Sequence, residues 1–528
     1  MFVVLAGCSS SGPSTATVLS GTTVAPAGSA APTPESTPLS TPSSTPVADS
    51  TAPEFRPDAV GQAVVDGPIT TGNGAVVLSA GAPDLAAVGY VQEEYFISGT
   101  ASAFRSATSL SADGRWSATP VNPAPYTTRI VVRRPVDAAR SNGTVAVEWL
   151  NVTAGFDTAP DWTGAHVEMI RSGWTWVGVS AQAVGIVGSK RSLVAALALK
   201  NADPVRYGPL SHPGDNYSYD IFSQAGALVR TKWQQVLGGI EPKHILALGE
   251  SQSAFRLTTY VNAVAPIADV YDGFMLHSRG AIGAPLFSTP FQQLRAPDPT
   301  LLRTDHAVPV LVFETETDMV AKGLDYRRVD QPDDAFIRGW QVPGTAHQDL
   351  YGLGIGDGDL GDGAADVALF ASMSDPPNAI YGGVITCEVP INTGPHPYVL
   401  RAALAALNTW VATGSAPTSM PAIELNASGD LVLDDAGNAR GGIRTPHLDA
   451  PIAQLSGIGQ PMGKSFCGLF GTTTPLDATT LAAKYPTHEA FVRAWETALD
   501  HAVASGAVLP ADAVQLRTAA QTSVIGAP

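Results

Sequence analysis

The sequence predicts an α/β protein: a mostly parallel central sheet with helices on both faces. Three observations carry that expectation. Short β-rich runs alternate with helical stretches, and strands joined by crossover helices pair in parallel. The chain has 528 residues, 45% of them hydrophobic, enough to bury a large core. A short apolar strand at 244–248 runs straight into a helix through Gly249-Glu250-Ser251-Gln252-Ser253-Ala254.

The elements follow in order. Phe2-Val3-Val4-Leu5 is an apolar run, and Leu5-Ala6-Gly7-Cys8 matches a lipobox, in which the new N-terminal cysteine receives the lipid. The basic n-region is missing, so the natural start is expected upstream of Met1, or the chain is truncated. Residues 9 to 54 hold twenty Ser/Thr and eight Pro, and no Lys or Arg precedes Arg56. Such a stretch cannot bury enough apolar surface to order itself, so 9–56 is read as a tether. The folded part begins at residue 57.

Strands are expected at 126–134, 144–150, 174–180, 244–248, 270–276, 308–313 and 335–342. Helices are expected at 166–172, 219–237, 255–264, 398–410 and 491–504, with a hairpin around Asp435 to Asn438. Two connections, about 181–217 and 279–304, are rich in Pro and Gly and long enough to act as lids or binding loops. From about residue 377 the chain is read as a C-terminal extension packed beside the core.

Composition excludes several functions. The net charge is −17, with 30 Lys+Arg against 47 Asp+Glu and no basic cluster, which argues against nucleic acid. No run of about 18 apolar residues is present to span a bilayer. There is no HExxH, no zinc-spaced Cys/His set and no P-loop, so neither metal nor cofactor is expected. The acidic run Asp357-Gly358-Asp359-Leu360-Gly361-Asp362-Gly363 lacks the spacing and terminal Glu of a calcium loop. Of the three cysteines, Cys8 is assigned to lipid. An oxidising compartment then favours a bridge between Cys387 and Cys467.

The chemistry is expected at the strand-to-helix joint. A serine on such a turn projects its hydroxyl above the sheet, with helix N–H groups behind it to receive an oxyanion. That makes Ser251 the nucleophile, although Ser253 stands where the usual pattern has a second glycine. Of ten histidines, His347 follows the strand at 335–342 in Pro343-Gly344-Thr345-Ala346-His347 and is the candidate base. His396 is the alternative, and His277 a weaker one. Past the strand at 308–313, Asp318 is the candidate acid and Glu316 the alternative. Trp149, Trp162 and Tyr207 are candidates for lining an acyl pocket.

The order Ser, Asp, His with this elbow resembles the α/β-hydrolase superfamily. Within it, the elbow, Tyr271-Asp272-Gly273-Phe274, His277-Ser278-Arg279-Gly280 and Gly344-Thr345-Ala346-His347 resemble a bacterial family of large α/β-hydrolase-domain proteins. The run from Val147 to Gly155, Arg206-Tyr207-Gly208, His212-Pro213-Gly214-Asp215 and Cys467-Gly468-Leu469-Phe470-Gly471 also fit it. The likeness runs from about residue 60 to the C-terminus. It implies a serine-hydrolase mechanism with Ser251, Asp318 and His347 at the triad positions. In that fold the backbone N–H of Gln252 supplies one oxyanion donor, and Val152 or Thr153 the second. The expected activity is hydrolysis of a small-molecule or lipid-like ester by a secreted or lipid-anchored carboxylesterase. An acyltransferase using the same residues and an inactive binding lipoprotein are the alternatives.

Overall fold

The computed structural model describes residues 59–527, apart from residues 82, 191, 290–292 and 462–465. The lipobox with Cys8 and the tether expected over 9–56 lie outside the described residues.

Nine strands form one sheet. They are β1 (Val64–Asp66), β2 (Tyr90–Arg105), β3 (Thr119–Pro135), β4 (Thr144–Trp149), β5 (Thr175–Val179), β6 (His244–Glu250), β7 (Gly273–His277), β8 (Val310–Thr315) and β9 (Ile337–Val342). Their order is β1-β2-β3-β5-β4-β6-β7-β8-β9. From β5 to β9 all neighbours are parallel, whereas β1–β2, β2–β3 and β3–β5 are antiparallel.

The parallel strands are apolar on both faces, and successive residues feed opposite cores. Val145, Val147, Ile245, Ala247, Phe274, Leu276, Val310 and Val312 pack on one side with α2 (Ser218–Thr231). Ala146, Leu246, Leu248, Met275, Leu311 and Phe313 pack on the other with α1 (Pro160–Arg171). The long helix α4 (His396–Thr413) adds Val399, Leu400, Leu404, Leu407 and Trp410 to that second core. Thus α4, although inside the stretch read as a C-terminal extension, covers the central sheet. A third core joins α5 (His488–Ala504) and α6 (Pro510–Thr522) around Phe370, Tyr398 and Trp495.

Of the β2–β3 ribbon the sequence predicts only the second half of β3, at 126–134, and none of β2. Pro120, Pro123 and Pro125 argue against a strand at the start of β3. There β3 meets only β2, and its pairing with β5 is confined to Ile130–Arg133, so the lost N–H groups break no ladder on the other edge.

The 181–217 connection is a set of short helical turns pinned by a buried ionic network. Arg129 of β3 bridges Glu94 of β2 and Asp157 at 2.8 Å each, and Arg206 bonds Glu94 from the connection itself. Breaking one partner of such a desolvated set costs about 3–5 kcal/mol. In the acidic run, Asp357 accepts from Gly81 N–H, Asp362 from Ala364 N–H, and Asp359 from Gly361 N–H, Tyr351 and Arg401. Among the described residues no set of three His, Cys, Asp or Glu could hold a metal ion. Nor is any described helix long and apolar enough to cross a membrane.

Cys387 and Cys467 are joined in a disulfide. The two segments it links also hold the chain after β9: Gln348 N–H donates to Leu469 O, and Leu350 N–H to Asn392 O. Closing an 80-residue separation is worth about 4 kcal/mol on the chain-entropy model. Cys387→Ser is therefore expected to lower unfolding free energy by about that amount. Denaturant titration of the variant measures it; a midpoint unchanged from the parent protein would show that the bridge contributes nothing.

Candidate active site

Everything of interest lies at the C-terminal ends of β4, β6, β7, β8 and β9, where ligands of open α/β sheets collect. At the end of β6 the chain turns through Ser251, whose φ of 55° and ψ of −117° are costly for a residue with a side chain. The turn leads into α3 (Gln252–Thr259), and it is held by Ser251 N–H donating to His277 O at 2.8 Å. Gly249 leaves the packing beneath the turn close: a Cβ there would lie 2.9 Å from Leu257 Cδ1 and 3.1 Å from the Ser253 Cβ, so neighbours would have to shift. Ser253, where the common pattern has glycine, is fully buried, and its hydroxyl finds no hydrogen-bond partner among the described residues.

The structure brings Ser251, His347 and Asp318 together. His347 Nε2 is 2.8 Å from Ser251 Oγ, and its Nδ1 is 2.6 Å from Asp318 Oδ1. The other carboxylate oxygen of Asp318 accepts from Ser278 Oγ at 2.6 Å, Thr315 Oγ1 at 2.7 Å and Thr315 N–H at 2.8 Å. Burial opposes ionisation of Asp318, but His347 and these hydroxyl donors outweigh it and hold the carboxyl below its usual range. Burial likewise disfavours a charged His347, and here the Asp318 and Glu250 carboxylates win, so the imidazole is raised above 6.5.

The alternatives sit elsewhere. Glu316 accepts from Gly344 N–H, Ser456 Oγ and Gly457 N–H, clamping the start of the His347 loop to the C-terminal part of the chain. Its carboxylate does not face the base, and burial pushes it up to about 7. His396, the alternative base, has both ring nitrogens engaged: Nδ1 with Ala346 O at 3.1 Å and Nε2 with His277 Nε2 at 2.8 Å. Burial drives it down to about 3. His277 completes this chain through Asp161 Oδ1 at 2.8 Å. Both rings therefore lie behind the site, where they support the Ala346 carbonyl next to His347.

Of the expected oxyanion donors, the Gln252 N–H opens α3 and so has no acceptor within the helix. The Val152 N–H points towards the Gln252 side-chain oxygen at a loose 3.5 Å. Thr153 is corrected: its N–H donates to Asn151 Oδ1 at 2.8 Å in a local turn and is spent there. The Gln252 side chain also donates to Gln182 at 2.8 Å, and Leu193 N–H to Ala154 O at 2.9 Å. The 181–217 connection therefore rests on the oxyanion loop.

Trp149, Trp162 and Tyr207 do not line a pocket. All three are fully buried: Trp149 against Tyr219 and Phe222, Trp162 against Trp176, Tyr207 beside Phe96 and Arg129. Sequence reasoning also passed over Glu250, Asn151, Gln348 and Ser278. Glu250 and Ser278 stood inside quoted motifs, one residue from a candidate, but nothing in the motifs says where their side chains point.

No curated protein matches the chain. Among solved structures it resembles fungal esterases from Rhizomucor miehei at 12% identity, covering 50% of this chain and 76% of theirs, with a TM-score of 0.25. It also resembles a lidless α/β serine hydrolase from Xanthomonas campestris at 14% identity (47% and 86% covered, TM-score 0.25). A carboxylesterase from Lactobacillus plantarum WCFS1 matches at 13% identity (41% and 72% covered, TM-score 0.23). The model of the alpha/beta hydrolase domain family matches residues 65–518, and the chain belongs to that family of hydrolases.

Proposed function

We propose that the protein is a serine hydrolase of carboxylic esters, secreted or held outside the cytoplasm by lipid on Cys8. The observation that carries this reading is the unbroken line from Ser251 Oγ through His347 to Asp318, at 2.8 and 2.6 Å, on a serine held at φ 55°. Ser251 Oγ attacks the ester carbonyl as its proton passes to His347 Nε2. The tetrahedral oxyanion receives the N–H groups of Gln252 and Val152. Losing one such donor typically costs about 10²–10³ in kcat. Collapse of the intermediate expels the alcohol, which takes the proton from His347. Water then attacks the acyl-enzyme by the same route, returning the acid and free Ser251. The substrate is a small-molecule or lipid-like ester, and an alcohol in place of water would make the same residues an acyltransferase. No metal or cofactor enters these steps.

The test is labelling with a fluorophosphonate probe, followed by a panel of esters of increasing acyl length. Labelling is expected in the membrane fraction, moving to the soluble fraction in a Cys8→Ser variant. Turnover is expected to rise with pH, levelling only above 6.5, because the base works deprotonated and its imidazole is raised from that value. A folded protein that neither labels nor turns over any ester would leave only the binding-lipoprotein reading.

A further inference from the structure

We propose that Glu250 is a second carboxylate serving the base: it stabilises His347 once the serine proton has arrived, and it ties that histidine to the oxyanion loop. The proposal rests on the reading of Ser251, His347 and Asp318 given above.

Glu250 is the last residue of β6, directly before the nucleophile, and its side chain is buried. Its Oε1 lies 3.4 Å from His347 Nε2, the same nitrogen that faces Ser251 Oγ. The same Oε1 accepts from Gln348 Nε2 at 3.0 Å, one residue past the base. Its Oε2 accepts from Asn151 Nδ2 at 2.9 Å, one residue before the oxyanion donor Val152. The amide orientation of Asn151 is fixed by Thr153 N–H on its Oδ1, so towards Glu250 it can only donate. One carboxylate thus touches both halves of the machinery.

The proton inventory shows when this contact acts. In the resting enzyme the single ring proton of neutral His347 sits on Nδ1, facing Asp318. Nε2 then offers only a lone pair, and Glu250 Oε1 gains nothing from it. When the Ser251 proton moves to Nε2, the ring becomes a cation with an N–H beside Oε1, and attraction appears. An interaction absent in the ground state and present after proton transfer lowers the barrier instead of merely tightening binding. The groups facing His347 are Asp318 from the turn after β8, Glu250 from β6 and His396 from α4. Burial raises the Glu250 carboxyl above its ordinary range, while His347, His277 from β7 and the Gln348 amide favour its charge and Asp161 from α1 opposes it.

The experiment compares the parent protein with Glu250→Gln and Glu250→Asp. For each, fluorophosphonate labelling rates and ester kcat and KM are followed from about pH 5 to 9, with a thermal melt as control. Glu250→Gln is expected to move the acid limb down by about one pH unit, the lower range for loss of a nearby opposite charge. Plateau kcat is expected to fall about tenfold or more, with KM nearly unchanged. Glu250→Asp, which keeps the charge but draws it back from the ring, is expected to shift the limb in the same direction by less. Should Glu250→Gln not fold, that smaller shift in the aspartate variant carries the test. An acid limb that stays in place in the folded variants, with activity falling only as the melt falls, would overturn the proposal and make Glu250 a structural clamp. A parent protein that does not label at all would instead overturn the serine-hydrolase reading beneath it.

Discussion

Ser251→Ala is expected to abolish ester turnover and fluorophosphonate labelling together, with the thermal transition retained. On the proposed mechanism nothing else supplies the acyl acceptor, so the loss is about 10⁴–10⁶ in kcat, leaving what oriented binding alone achieves. The fold has reason to survive. The turn rests on the Ser251 backbone N–H, which alanine keeps, and the side chain's own contact is with His347. Positive φ costs alanine what it costs serine, so the strain is unchanged. Stopped-time labelling and ester kinetics on purified protein read both effects. Turnover within tenfold of the parent protein would remove Ser251 from the nucleophile's role.

The second large effect separates two carboxylates that are two residues apart. Asp318→Asn is expected to lower kcat by about 10⁴ with little change in KM. An amide at that position can present an N–H to Nδ1, forcing the ring into the tautomer whose Nε2 already carries a proton and cannot accept one from serine. It also removes the charge that stabilises the imidazolium, and it must compete for Ser278 and Thr315, which now donate to a carboxylate oxygen. Glu316→Gln is expected to cost far less in kcat. Its burden falls on stability, because that carboxyl holds Gly344, Ser456 and Gly457. Steady-state kinetics with melting curves on both variants decide the matter; the reverse ranking in kcat would give the acid role to Glu316.

The elbow was legible because its determinants are consecutive. An apolar strand, a glycine, a serine and a helix start in succession specify a sharp strand-to-helix turn. The successive strand ends carrying Asp318 and His347 were legible for a related reason, since each apolar run announces its own end. Less was readable where a rule was locally violated. Prolines hid the first half of β3, because only the pairing pattern shows that this stretch has a free edge. Trp149, Trp162 and Tyr207 passed for pocket residues because a sequence does not say whether a large ring meets the core or a cavity.

By itself, then, the sequence determined the α/β alternation, the serine turn and a short slate of acids and histidines in workable order. The tertiary structure alone decided among them. Glu316 and Asp318 are separated by about 200° around a helical turn, so one faces the C-terminal clamp and the other His347. His396 could serve Ser251 only if α4 did not cover the sheet, and its burial there pairs it with His277, 119 positions away. Glu250 meets His347 across 97 positions. The physical reason is common to all three. Backbone preference acts over a few bonds, whereas the direction of a side chain and the charge beside it are set by segments that only packing brings within hydrogen-bond reach.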